Sequence, residues 1–182
     1  MIGLRPGTVH LSRYTAAWKA AYQRERRRLR RCFPEPDVRI EHVGSTAIPG
    51  VDAKPIIDIA IRVQSFRSLK SFVSRMIGLG YEYKGEFGLA GRHFFVNGNP
   101  VTHHVHLVRA GSEHWDRWIL FRDYLRAHPE EAKRYNAVKR GLARQFANKR
   151  DAYTRAKTPF IERVLRLARQ ERGTEPKIVK KD

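Results

Sequence analysis

The stretch HVGSTAIPGVDAKPIIDIAI, residues 42–61, decides how the rest of the chain is read. Its second half, carried on to Val63, alternates as a strand does. Ile57, Ile59, Ile61 and Val63 share one face, and Ile56, Asp58, Ala60 and Arg62 share the other. An acid inside an otherwise aliphatic strand means that its face is open or that the acid holds something. Upstream, the β-like segment Val38–Val43 runs into Gly44-Ser45-Thr46, and a loop with two prolines and a glycine carries Lys54 to Pro55. A glycine lets the backbone approach a ligand, and the N–H groups and two hydroxyls that follow it can cradle a phosphate. Two enzyme classes drop out at once. There is no G-x-x-x-x-G-K-[ST] phosphate loop, and Ser45 does not sit in a G-x-S-x-G nucleophile elbow.

Outward from this stretch the pattern is mixed. The spacing of Trp18, Tyr22, Leu29 and Phe33 predicts a helix from Thr15 to Phe33, with Thr15 as N-cap and Pro34 and Pro36 ending it. Its other face carries RERRRLRR, Arg24–Arg31, which is either a solvated helix face or a surface for phosphate backbone. A second helix is expected over Ser65–Ile77, stopped by Gly78 and Gly80. Short strands are expected near Tyr81–Lys84, His93–Val96 and Val101–Val108, the last two joined as a hairpin by NGNP at 97–100. Beyond Gly111 the periodicity is helical. One helix is marked by Trp115 and Phe121, a second opens at Pro129, and a third spans about Asp151–Arg169. The reading is an α+β fold: a mixed β-sheet from the middle of the chain, flanked by helices, with a helical C-terminal third. Residues 1–170 are expected to form one domain, and the polar, charged residues 171–182 a disordered tail.

The chain has 182 residues, of which 41% are hydrophobic, enough for one well-buried core. Lys and Arg number 37 against 18 Asp and Glu, a net charge of +19 that favours anionic partners such as RNA, DNA or nucleotide phosphates. The surplus sits on the flanking helices: residues 111–182 hold 19 basic and 10 acidic side chains, and residues 1–37 hold 9 and 3. Cys32 is the single cysteine, so no intrachain disulfide forms and a reducing compartment is expected. The N-terminus lacks a signal-peptide pattern, and no stretch approaches the ~20 apolar residues of a membrane span, so a cytoplasmic location is expected.

Three features carry candidate chemistry. The Gly44-Ser45-Thr46 turn is one. Lys54 with Asp58 is the second: a cation can meet phosphate charge, and a strand carboxylate can ligate Mg²⁺, while a purely structural Asp58 would hydrogen-bond its loop or pair with Arg62. The third is THHVH, 102–106, which puts His104 and His106 on one strand face and His103 on the other. Such a pair binds a metal, contacts phosphate, or simply lines a site.

EHVGSTAIPGVDAKPIIDIAI, GRHFFV, THHVHLV, ILFRDYLRAHPEEAKRYNAVKRGLA and AYTRAKTPFIERVL together strongly resemble the GrpB family, from about Val9 to Ala168. The resemblance implies the nucleotidyltransferase-fold superfamily, whose sites combine a Gly-Ser turn with two carboxylates alternating on one strand. Gly44 and Ser45 match the turn and Asp58 the first carboxylate. The second falls on Ala60, which cannot hold a metal, and the strand expected to bring a third offers His104 and His106. Glu41, on the preceding strand, is a candidate substitute ligand, although sequence alone does not say whether Glu41 or His42 faces the site. The implied function is Mg²⁺-dependent transfer of a nucleotidyl group from a nucleoside triphosphate to an acceptor, with Mn²⁺ or another divalent ion in place of Mg²⁺ as a variant. Asp58 and His106 would act in catalysis. Gly44, Ser45, Thr46, Lys54 and Arg92 would hold phosphates, and Asp58, His104, His106 and Glu41 the metal. The alternative is a catalytically degenerate nucleotide- or RNA-binding module, which Ala60 favours; a histidine-based metal hydrolase is a third.

Overall fold

The computed structural model describes residues 2–5 and 7–173. Helix α1 (Ala17–Cys32) buries Trp18, Ala21, Tyr22, Glu25 and Leu29 along one stripe. Thr15 Oγ1 accepts the Ala17 N–H at 3.3 Å, so the hydroxyl expected to cap the helix serves its first turn from just outside. Strand β1 (Arg39–Val43) then leads into a 3₁₀ turn, Ser45–Ala47, and strand β2 (Ile57–Val63) follows. Helix α2 (Leu69–Gly78) comes next, then strands β3 (Glu82–Tyr83), β4 (Arg92–Asn97) and β5 (His103–Arg109).

The five strands form one sheet in the order β1-β2-β5-β4-β3. Only the β2–β5 pair is parallel; the others are antiparallel. Parallel neighbours need a long crossover, which α2, β3 and β4 supply. The face carrying Ile57, Ile59, Ile61 and Val63 packs with Val105, Leu107 and Phe95 against Trp18, Leu29, Phe33, Phe72 and Met76 of the N-terminal half. Each of these aliphatic side chains stabilises the fold by about 1.5–3 kcal/mol when fully buried. That side of the sheet is closed.

The expected start of the second helix at Ser65 is four residues early, because the Ser65 hydroxyl accepts the Arg67 N–H at 3.5 Å and holds a turn there. Its end follows the expectation. Gly80, at φ +84°, donates to the Ile77 carbonyl and Tyr81 donates to that of Met76, the paired bonds of a Schellman cap.

The other face of the sheet is covered by helices α3 (Glu113–Ala127), α4 (Pro129–Gln145), α5 (Arg150–Ala156) and α6 (Thr158–Glu171). One helix over Asp151–Arg169 is expected from sequence, and here the structure differs: the chain breaks at Lys157. Pro159 cannot donate a backbone hydrogen bond and disfavours helical geometry in the residue before it, so α5 stops and α6 restarts with the proline in its first turn. Of the tail expected at 171–182, residues 174–182 lie outside the described residues. Among the described residues no helix is long and apolar enough to cross a membrane.

Candidate functional site

Register decides what meets on the helix-covered face of the sheet. Asp58 pairs with His104 and Ala60 with His106 across β2–β5, while Val43 and Glu41 stand opposite Asp58 and Ala60 on β1. Directly paired residues share a face, so β1 contributes Glu41 to the face of Asp58 and turns His42 to the core. There His42 stacks on Tyr22 at 4.7 Å, bonds Thr46 Oγ1 at 3.0 Å, and is lowered by burial to a pKa of about 4.

Between the sheet and helices α3–α6 lies a cleft of about 1570 Å³ lined by Gly44, Ser45, Lys54, Asp58, Arg92, His104 and His106, among others. Asp58, with 30% of its side chain exposed, accepts the His104 Nδ1 proton at 3.0 Å, and His106 Nε2 stands 3.8 Å away. Burial pushes the Asp58 carboxyl up, but its hydrogen bonds with His104 and His106 outweigh it and hold the group well below the ordinary carboxylate range. His104 Nε2 faces Arg150 Nη2 at 3.3 Å, a contact that makes sense with the imidazole proton on Nδ1. Gly44 is there of necessity. Its φ is +70°, and a Cβ at that position would stand 2.5 Å from Asp58 Oδ2.

Across from Asp58 stands a cationic wall. Lys54 and Lys157 both lie over the Tyr153 ring, with Nζ 5.8 and 4.7 Å from its centroid. Neither ammonium has a hydrogen bond or ion pair among the described residues. Burial, reinforced by Arg150 and Lys157 and opposed by Asp58 and Asp151, lowers Lys54 to a pKa of about 7. Burial likewise lowers Lys157 to about 8. Lys139, almost wholly buried, donates to the Asp52 carbonyl and lies 4.8 Å from the Tyr135 ring centroid; burial depresses it well below its ordinary value. The Tyr135 hydroxyl stands 3.5 Å from Ser45 Oγ at the cleft's edge.

Not every residue singled out in the sequence joins this group. The Thr46 hydroxyl is taken by His42 and the Ile56 carbonyl. Arg92 is buried and staples a loop, its Nη2 donating to the carbonyls of Glu86 at 2.9 Å and Phe87 at 2.7 Å, with Nη1 3.4 Å from His106 Nδ1. Glu41 is on the right face, but its carboxylate receives Arg122 Nη1 at 2.8 Å, and Arg122 also donates to the His42 carbonyl and Asp123. Arg150, Tyr153 and Lys157 form no recognisable motif in the sequence. Their one signal is the Thr158-Pro159 break, which turns Lys157 out of what reads as continuous helix.

Residues 8–167 match the protein family described as GrpB protein. The chain belongs to the GrpB family. Among GrpB-family relatives, the UPF0157 protein YqkA of Bacillus subtilis is 41% identical over 155 residues, covering 85% of this chain and 45% of that protein, so the chain spans about half its length. The crystal structure of the conserved protein GrpB from Enterococcus faecalis matches with a TM-score of 0.83 and 32% identity, covering 90% of this chain and 99% of that one. A MgATP-bound structure of Cid1 poly(U) polymerase matches with a TM-score of 0.51 and 17% identity, over 72% of this chain and 44% of that one. That last likeness is one of fold: this GrpB-family chain has a nucleotidyltransferase-like sheet with a helical C-terminal part.

Proposed function

We propose that the cleft binds a nucleoside triphosphate through its phosphates and that the protein transfers the nucleotidyl group to an acceptor. One observation carries the reading: Lys54 and Lys157 are held over Tyr153 at the cleft with no ion pair among the described residues, near Asp58 and Asp151 only. Half-buried cations without an ion pair are costly to hold, and phosphate oxygens supply the countercharge. Ser45 Oγ and Arg150 extend the same wall. Electrostatic stabilisation of a departing pyrophosphate is what such a wall offers, with positioning as the other contribution.

The fit to a metal is partial. Mg²⁺ takes oxygen ligands, often one or two carboxylates together with substrate phosphates. Asp58 offers one carboxylate, and Ala60, fully buried against Val43, Val108 and Trp115, offers none. Glu41 is engaged by Arg122, and both nitrogens of His104 are engaged. Among the described residues no three His, Cys, Asp or Glu side chains form a metal-holding group. The donor set therefore suits one Mg²⁺ or Mn²⁺ on Asp58 shared with phosphate oxygens, and not a two-ion clamp. Bound there, the ion would neutralise phosphate charge. The chain's own residues hold the phosphates, and His104 fixes the Asp58 carboxylate.

Ala60 favours a second reading, a nucleotide- or RNA-binding module that does not turn over. Its RNA would lie on the basic outer helices, where Arg24, Arg26, Arg27 and Arg31 are exposed. The test is a thermal-shift titration with each nucleoside triphosphate, with and without Mg²⁺ or Mn²⁺, on wild type and Asp58→Asn at moderate salt. A metal-dependent shift lost in Asp58→Asn, with pyrophosphate released when acceptor RNA is added, supports the transferase. Metal-dependent binding without pyrophosphate release supports the module. Equal, salt-sensitive shifts indifferent to metal and to Asp58 would sink both uses of the cleft.

A further inference from the structure

The end of the cleft beyond His106 is aromatic. Phe87 stacks on Phe94 with centroids 5.4 Å apart, Phe94 meets His106 at 5.1 Å, His106 meets Trp118 at 4.9 Å, and Trp118 meets His114 at 5.8 Å. These rings form a continuous wall that includes the histidine 3.8 Å from Asp58, while the two lysines lie over a different ring, Tyr153. Its outer member is unusual. Phe87 is 67% exposed, the largest value among the exposed large hydrophobic side chains, and it lines the cleft together with Leu89 from the same loop. Phe87 is also the only non-glycine residue at positive φ among the described residues, at 47°.

That conformation is strained for a side chain of this size, and such strain persists only where surrounding contacts enforce it. The contacts are present. Arg92 grips the carbonyls of Glu86 and Phe87, the Gly91 N–H donates to Glu86 Oε1 at 2.6 Å, and His114 Nε2 donates to the Ala90 carbonyl at 3.1 Å. The loop is pinned at both ends so that a bare aromatic ring faces the cleft. An exposed aromatic held in this way is suited to stacking on a flat, desolvated surface.

We propose that the aromatic end of the cleft stacks the planar base of the bound nucleotide, with Phe87 as its outer platform. This rests on the phosphate-binding reading of the lysine wall and deepens it. Asp58 touches both groups, standing 3.8 Å from His106 and acting electrostatically on Lys54 and Lys157, so a nucleotide's first phosphate would meet its sugar beside it. The ligand class follows: a base-bearing polyphosphate is selected over inorganic polyphosphate or a sugar phosphate, and purines, with the larger face, over pyrimidines.

The test measures binding of ATP, UTP and tripolyphosphate by calorimetry, with Mg²⁺ present, to wild type, Phe87→Ala, Phe87→Tyr and Lys157→Met. Phe87 is exposed, so its replacement leaves the fold intact, and the melting temperature checks this. Stacking on one aromatic ring is worth enough for about a tenfold loss of ATP affinity in Phe87→Ala. Tripolyphosphate binding should be unchanged, the preference for ATP over UTP should shrink, and Phe87→Tyr should restore both. If ATP and tripolyphosphate bind wild type equally, or keep their ratio in Phe87→Ala, the base site is overturned while the phosphate site stands. If neither ligand binds, or Lys157→Met changes nothing, the phosphate reading fails and takes the base site with it.

Discussion

Gly44→Ala tests whether the turn and the strand carboxylate are built as one unit. The added methyl would stand 2.5 Å from Asp58 Oδ2 and 3.0 Å from its Cβ, closer than atoms tolerate. The backbone adds to this, because φ +70° with ψ −173° lies in a region open almost only to glycine, at a cost of about 1–3 kcal/mol. Relieving the clash requires Asp58 to swing away from His104 and give up their 3.0 Å hydrogen bond. With the Asp58 side chain 30% exposed, that loss is about 1 kcal/mol, below the usual figure for a charged bond. The total is roughly 2–4 kcal/mol, which for a chain of this size lowers the melting temperature by about 5–15 °C. Circular-dichroism melts of Gly44→Ala, Asp58→Ala and the double variant form a cycle. The Gly44→Ala penalty should shrink in the Asp58→Ala background, where the closest contact is gone and the strain remains. A melting point within about 1 °C of wild type, or an equal penalty in both backgrounds, would refute the close approach of turn and carboxylate.

The lysine wall predicts how stability varies with pH. Lys54 and Lys157 titrate near 7 and 8 in the fold against 10.5 ordinarily, so between about pH 7 and 10.5 the unfolded chain binds more protons. The unliganded protein should therefore gain stability as pH rises through this window, and Lys54→Met/Lys157→Met should flatten the rise. Melting curves from pH 6 to 10 read this directly, while tripolyphosphate affinity should fall above about pH 8 as the ammonium groups lose their protons. Arg122→Ala removes a guanidinium that joins Glu41, Asp123 and the His42 carbonyl. Because both carboxylates are partly exposed, the expected loss is about 2 kcal/mol, read as a lower urea midpoint at unchanged slope. Arg122→Lys should recover little of it, since an ammonium cannot fork between these partners; an unchanged midpoint in Arg122→Ala would count against a structural role.

What could be read in the sequence was local. Period-two alternation in β2 separates Ile57, Ile59 and Ile61 from Asp58 without reference to any partner, and NGNP announces its own hairpin. Which of Glu41 and His42 faces Asp58 was not legible, because that depends on the register of β1 against β2. The wall opposite Asp58 was hidden for a related reason. Arg150 and Lys157 lie in a segment whose periodicity speaks only of its own buried face, and nothing in that pattern says that the Pro159 break aims Lys157 at a strand far away in sequence. Arg92 illustrates the converse. Its charge next to the candidate site is plain in the sequence, but its bonds to two loop carbonyls are invisible until the loop's path is known.

The parallel pairing of β2 with β5 has a consequence for when the protein becomes competent. Lys54 and Asp58 emerge from the ribosome early, His104 later, and Lys157 roughly a hundred residues after Lys54. Until the segment carrying Arg150 and Lys157 is made and docked, the nascent chain holds Asp58 with Lys54 alone. The group around Asp58 is therefore completed only by the last long-range contacts of the chain, when the helices of the C-terminal third dock on a sheet that is already in place.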